Sequence, residues 1–170
     1  MPEDIQSACR QDLKPGDREE VGRIVRATGF FSEEEAKIAV ELIDERLAKG
    51  ETSGYHFLFV EKGKSLLGYT CFGPIPGSAH SYDLYWIVVD PALQGKGLGR
   101  RLLSESERIM AERGARRIYA DTSSRPQYEP TRAFYLACGY RQEAFLQDFY
   151  DEGDGKVIFV KALHTADSRF

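Results

Sequence analysis

Three glycines at alternate positions, Gly95, Gly97 and Gly99, stand among Lys96, Arg100 and Arg101, just before a leucine-bearing helical run. Residues of these types at this spacing can hold a phosphate. Glycine takes positive φ at little cost and leaves no Cβ between a ligand and the backbone N–H groups. At a helix N-terminus those N–H groups lack intrahelical acceptors, and the macrodipole favours an anion. The cationic side chains add full charge to the same place. A Walker loop would need Ser or Thr after the lysine, and Gly97 follows Lys96 instead. A dinucleotide fingerprint would need its third glycine one residue later and no linker like Asp90–Leu93 after the strand.

The elements that must position this loop follow from periodicity. An apolar strand runs through Ser81 to Val89 into the loop and stops at Pro91, which has no N–H for a ladder. Behind the loop, Leu98, Leu102, Leu103, Ile109 and Met110 lie at helical spacing up to Gly114. Upstream, residues 5 to 13 read as a first strand. Asp17 with Glu20, then Ser32 with Glu35, read as capping boxes opening two helices that end at Gly29 and Gly50. Phe30 and Phe31, between those helices, read first as core and otherwise as the wall of a substrate site. Tyr55–Val60 and Ser65–Phe72 form a hairpin about Glu61–Lys64, and Gly73–Ser78 is a loop that leaves His80 on the surface. Downstream come a strand over Ala115–Thr122, a helix over Pro130–Ala137 closed by Gly139, and two strands, Arg141–Phe149 and Lys156–Leu163. Alternation sets Asp83, Tyr85, Ile87 and Val89 on one face of their strand, opposite Tyr82, Leu84 and Trp86.

Gln94, Gly97 and Gly99 fill the pattern [QR]-x-x-G-x-[GA], which resembles the acetyl-CoA signature of the GNAT superfamily of N-acyltransferases. A second motif agrees: Ala133-Phe134-Tyr135-Leu136-Ala137-Cys138-Gly139-Tyr140 is similar to the family's closing A-x-x-F-Y-x-x-x-G-[FY]. The element order also matches. The resemblance implies an α/β (α+β) GNAT fold, with a mixed, mostly antiparallel sheet splayed between strands four and five and helices on both faces. It implies one domain over residues 1–163, leaving 164–170 as a flexible tail. It further implies acetyl-CoA as cosubstrate, bound by Ile87, Val88 and Val89 through their backbone and by Gln94, Gly95, Lys96, Gly97, Leu98, Gly99 and Arg100. Ile87 would offer the amide that polarises the thioester carbonyl, and Val89 would pair with pantetheine.

The resemblance also assigns chemistry to side chains. Family members often place a carboxylate on strand four or five as general base, and those positions hold Asp83 and Asp121. Either carboxylate reads equally as structural, Asp83 at a frayed strand end and Asp121 in a turn with Thr122-Ser123-Ser124. Tyr135 matches the tyrosine that protonates the departing thiolate, and reads otherwise as an aromatic packing the last helix on the sheet; with a phenol pKa near ~10 it stays protonated at neutral pH. The family's usual Asn before the last helix is missing from Arg125–Thr131, so the contact it makes is not carried over. The function implied is acetyl transfer from acetyl-CoA to an amine by direct attack in a ternary complex. A silent acyl-CoA-binding sensor, or a transferase using another acyl-CoA or acceptor, is the alternative.

Composition sets outer bounds. The 170 residues are 42% hydrophobic and 29% charged, as in a globular protein able to bury a core. A net charge of −4 argues against general nucleic-acid binding. Three widely spaced cysteines, without metal-ligand spacing, predict reduced thiols in the cytoplasm, and no metal is expected. No apolar run approaches a membrane span. Aromatic and acidic residues near Tyr150 lean towards a cationic acceptor, a small-molecule amine or a peptide N-terminus. A homodimer is compatible with this reading.

Overall fold

The computed structural model describes residues 8–164. In chain order it contains β1 (Ala8–Arg10), α1 (Asp17–Ala27), α2 (Glu33–Lys49), β2 (His56–Lys62), β3 (Ser65–Pro74) and β4 (Ser81–Val89). Then follow α3 (Leu98–Glu112), β5 (Arg117–Ser123), α4 (Glu129–Ala137), β6 (Arg141–Asp151) and β7 (Asp154–Ala162), with short 3₁₀ turns at Gly50–Ser53, Pro91–Leu93 and Pro126–Tyr128. The strands form a seven-stranded mixed sheet in the order β1-β2-β3-β4-β5-β7-β6. Its parallel pair is β4–β5, and that pairing covers Ser81↔Arg117, Tyr82↔Ile118 and Asp83↔Tyr119. β4 continues six residues past this register. Of the predicted first strand, residues 5–7 lie outside the described residues, as does the predicted tail beyond His164.

Packing divides the chain into two compact units. One holds the residues up to Gly73 together with Trp86–Ser106; the other holds Pro74–Tyr85 and the residues from Glu107 on. In the first, α1 and α2 bury Val21, Ile24, Val25, Ala39 and Ile43 against Phe57, Phe59, Tyr69 and Cys71. The rings of Phe57, Phe59 and Tyr69 stack at centroid distances of 5.6–6.4 Å. The opposite parity of β3 meets α3: a Cβ on Gly68 would lie 2.8 Å from Leu102 Cδ1, and Thr70 shares a buried 2.7 Å hydrogen bond with Ser106. The same Cβ would lie 2.9 Å from Val88 O, so Gly68 is required by the main chain of β4 as well as by the helix above it. In the second unit, Ile118, Ala120, Phe159 and Val160 of β5 and β7 are buried, with Tyr135 and Tyr140.

The two capping boxes fare differently. Ser32 accepts from Glu35 N (3.1 Å) while Glu35 Oε2 accepts from Ser32 N (2.7 Å), a complete box at the start of α2. The Asp17/Glu20 box does not form. Asp17 is the first residue of α1, buried, and bound to the Arg10 guanidinium at 2.7 and 2.8 Å, while its Oδ2 accepts from Lys14 N. Glu20 instead accepts from Leu66 N at 2.9 Å. Partners from β1 and β3 outcompete the local cap.

Two further expectations need correction. Phe31 packs edge-on against Trp86 (4.9 Å between centroids), but Phe30 is exposed, so only one of the pair is core. The alternation read for β4 does not extend past Leu84. Tyr82 Oη lies 3.5 Å from Arg113 O beyond the end of α3, whereas Trp86 packs with the α1–α2 cluster. His80 is exposed, as expected, and its Nδ1 lies 3.1 Å from Gly114 O. All three cysteines are free.

Candidate active site

In the first unit, the site is made of main chain. After β4, Asp90 caps the Pro91–Leu93 turn by accepting from Ala92 N at 3.0 Å, and Asp90 N donates to Leu67 O at 2.8 Å. Arg23 braces this corner, 3.3 Å from Asp90 and 3.0 Å from Glu20. Gly95 and Gly97 then take φ of 78° and 81°, a region L side chains rarely adopt. Gly97 O accepts from Arg101 N at 3.1 Å, the first hydrogen bond of α3. The N–H groups of Leu98, Gly99 and Arg100 therefore fall in the first turn, where none has an intrahelical acceptor.

A Cβ built on Gly95 or Gly97 would meet nothing within 4 Å. Internal packing thus does not require glycine there; the backbone conformation does, and the space outside is open. Gln94, Lys96 and Arg100 are exposed, and among the described residues neither cation has a carboxylate partner. Leu98 is buried beneath the loop. Arg101, by contrast, turns to Cys9 Sγ at 3.6 Å. Open donors in a dipole-favoured position beside two unpaired cations suit a polyphosphate, so the residues present fit the expected coenzyme.

In the second unit, the site is made of side chains. β5 pairs with β7 so that Asp121 lies opposite Ile158, and Ser123 opposite Lys156. Even-numbered Ile118, Ala120 and Thr122 are buried, and odd-numbered Asp121 faces the other way. Lys156 Nζ pairs with Asp121 Oδ2 at 2.8 Å and sits 4.5 Å from the centroid of the Phe149 ring. Asp83 is half-buried. Burial raises its carboxyl above the ordinary aspartate range, the negative charge of Asp121 raises it further, and Lys156 partly offsets both. Burial is the largest influence on Lys156 and opposes its charge, but the hydrogen bond and the charge of Asp121, joined by Tyr150 and Asp83, together hold its pKa above the usual lysine value.

Tyr135, at 5% exposure, is enclosed by the rings of Tyr140 (5.4 Å), Phe159 (5.5 Å) and Phe134 (5.6 Å). Phe159 pairs with Ala120, so Tyr135 packs on the buried face of β5–β7, opposite the face that carries Asp121. Burial, and then the Asp121 charge, hold its phenol well above the usual range. Tyr140 N donates to Tyr135 O at 3.0 Å, next to the left-handed turn at Gly139 (φ 88°), which fixes the end of α4.

The charge of Asp121 thus acts on both Asp83 and Tyr135 within this unit. Lys156 is the member that the sequence reading missed. It lies in the alternating run Lys156–Val160, but only the β5–β7 register shows that it faces Asp121. The segment without the family's Asn is held by other means: Asp154, 6% exposed, accepts from Ser123 Oγ and pairs with Arg125 at 3.1 Å. Arg132 donates to Ser123 O at 2.8 Å and Arg125 O at 3.0 Å. Among the described residues no group of three or more His, Cys, Asp or Glu could hold a metal ion. Nor is any helix among them long and apolar enough to cross a membrane.

Comparison with known proteins bears on this geometry. The sequence model of the acetyltransferase (GNAT) family matches residues 20–140. A crystal structure from Desulfovibrio desulfuricans, described as an acetyltransferase of the GNAT family, is 44% identical with a TM-score of 0.91 and covers 92% of this chain and 98% of its own. An aminoglycoside 6′-N-acetyltransferase complexed with coenzyme A shares the fold at TM-score 0.74 and 17% identity, over 94% of this chain and 99% of its own. Mycothiol acetyltransferase of Amycolatopsis mediterranei (strain U-32) is 35% identical over 113 residues, 61% of this chain. The chain matches only 37% of the length of that relative.

Proposed function

The chain belongs to the acetyltransferase (GNAT) family and is an acyltransferase, and from that premise we propose that it transfers an acetyl group from acetyl-CoA to an amine by direct attack in a ternary complex. The observation that carries this reading is the glycine loop: two positive-φ glycines open to solvent at the start of α3, flanked by unpaired Lys96 and Arg100. The main chain of Ile87, Val88 and Val89 and the loop residues Gln94 to Arg100 would hold the coenzyme. Acetyl-CoA supplies the activated thioester; the rest of the chemistry is the protein's.

An acceptor amine with a pKa near ~10 is mostly protonated at neutral pH and must lose a proton before it attacks. Of the two carboxylates, we assign this step to Asp83. Lys156 already occupies Asp121 at 2.8 Å, which fixes that carboxylate as a neutralised neighbour. Burial and the neighbouring Asp121 charge make the Asp83 carboxylate more basic than an ordinary aspartate, which brings a general base closer to its operating pH. Asp121 and Lys156 are positioning residues that set its basicity. Tyr135 serves the opposite end of the reaction: its phenol, kept protonated by burial, donates to the departing sulfur.

The acceptor is read as a small-molecule amine or a peptide N-terminus, drawn by the carboxylates and the exposed Phe149 and Tyr150. Release of free thiol from acetyl-CoA across a panel of amines and short peptides tests this reading. Amine-dependent release is expected, and it should fall steeply in Tyr135→Phe with coenzyme affinity unchanged. Release that ignores the amine would contradict direct attack.

A further inference from the structure

Three strand ends of the second unit meet around a cavity of about 400 Å³. It is lined by His80 and Ser81 at the start of β4, Arg116 and Arg117 at the start of β5, and His164 just past β7. Main-chain hydrogen bonds fix these ends: Arg116 N donates to His80 O at 2.8 Å, and Leu163 N donates to Arg116 O at 2.8 Å. No Asp or Glu lines the cavity. With His80 Nδ1–H donating to Gly114 O at 3.1 Å, Nε2 remains for another partner.

Like Arg100 at the glycine loop, the two arginines stand, among the described residues, without a carboxylate in an acidic chain. Acidic residues outnumber basic ones, 27 to 23, and Arg10, Arg18, Arg23, Arg26, Arg125 and Arg141 each pair with a carboxylate. Arg116 and Arg117 are exposed and, among the described residues, have no such partner. Two unpaired guanidinium forks, the His164 imidazole and a hydroxyl offer more donors than one carboxylate can accept. A phosphate, with three acceptor oxygens and up to two charges, uses them better. The volume exceeds that of a bare ion and lies in the range of small-molecule sites.

We propose that this cavity binds the phosphate group of a small phosphorylated molecule, at a site separate from the candidate catalytic residues. Asp121 lies four residues along β5 from Arg117, roughly 13 Å at ~3.3 Å per residue. The glycine loop is a second place where phosphate could bind, so the experiment must read position as well as affinity.

Amide NMR of the whole chain, titrated with inorganic phosphate and with glycerol 3-phosphate at constant ionic strength, does both. The amides of Ser81, Arg116, Arg117 and Leu163 should shift saturably, with glycerol 3-phosphate binding at least as tightly as the inorganic ion. Arg116→Gln and Arg117→Gln should each weaken binding about tenfold, the scale of one lost charged hydrogen bond. Both side chains are exposed, and preserved peak dispersion would show that the variants fold. Shifts confined to residues 95–99, shifts matched by chloride, weaker binding of glycerol 3-phosphate, or unchanged affinity in the folded double variant would each overturn the proposal. None of these readouts depends on acetyl transfer.

Discussion

The glycine loop and the carboxylate–tyrosine cluster are built on opposite principles. At the loop the functional atoms are backbone N–H groups, the surroundings are open, and the residues that matter most are those without side chains. In the cluster the functional atoms are side-chain oxygens and an ammonium, Tyr135 buried and Asp83 half-buried, and the charges of Asp121 and Lys156 bear on the ionisation of Asp83. The loop should therefore tolerate side-chain changes except where one forbids its backbone conformation. The cluster should respond to every change, and in its pH profile as much as in its rate.

The largest expected effect is at Gly97. Valine there would force a β-branched residue into φ 81° and place its methyls in the space left for a phosphate. Coenzyme affinity should fall about 100-fold or more, equivalent to ~2.7 kcal/mol, in a calorimetric titration. Thermal unfolding should show an independent loss of ~1–3 kcal/mol from backbone strain. Affinity within twofold of the parent would remove the loop from the coenzyme site.

Next is Tyr135→Phe, which should lower kcat by about 10²-fold, the low end for general acid–base groups, with the coenzyme Kd unchanged. Asp83→Asn should lower kcat/KM by a similar ~10²-fold and at the same time raise thermal stability at neutral pH. The sign follows from the raised carboxyl: the folded state binds that proton more tightly than the unfolded chain does. Folding is therefore favoured below the unfolded-state pKa, and that advantage is lost as pH rises through the higher folded-state value. The neutral amide escapes the loss. A variant that was both slower and less stable would show that Asp83 supports the fold instead.

Lys156→Met should have a smaller effect, best seen as a shift. Without the ammonium, Asp83 faces an unneutralised Asp121, so the acidic limb of the kcat/KM profile should move to higher pH. A limb that stayed in place would separate Asp83 from the titration. The smallest effect belongs to Lys96→Ala, where an exposed cation should cost coenzyme affinity only about three- to tenfold and less at high salt.

The same contrast explains what was legible in the sequence. Helix and strand order followed from periodicity, and the glycine loop from residue types alone, because positive φ and open main chain leave a mark in composition. The Ser32/Glu35 box was readable because its partners are three residues apart and exposed. The similar Asp17/Glu20 pattern misled because Arg10 and Leu66, distant in sequence, bind the same carboxylates. Lys156 was missed for a related reason: its pairing with Asp121 depends on the β5–β7 register, which no local pattern specifies. Phe30 and Phe31 look alike in sequence, and contact with Trp86 distinguishes the partly buried ring from the exposed one.

The claim beneath the account is that main-chain donors at the start of α3 recognise a diphosphate. Comparing the affinity of coenzyme A with that of pantetheine, which lacks the diphosphate, in the parent protein and in Gly97→Val tests it directly. The account predicts that the parent prefers coenzyme A by about 100-fold or more and that the variant binds the two almost equally. A preference of the same size in the folded variant would contradict it.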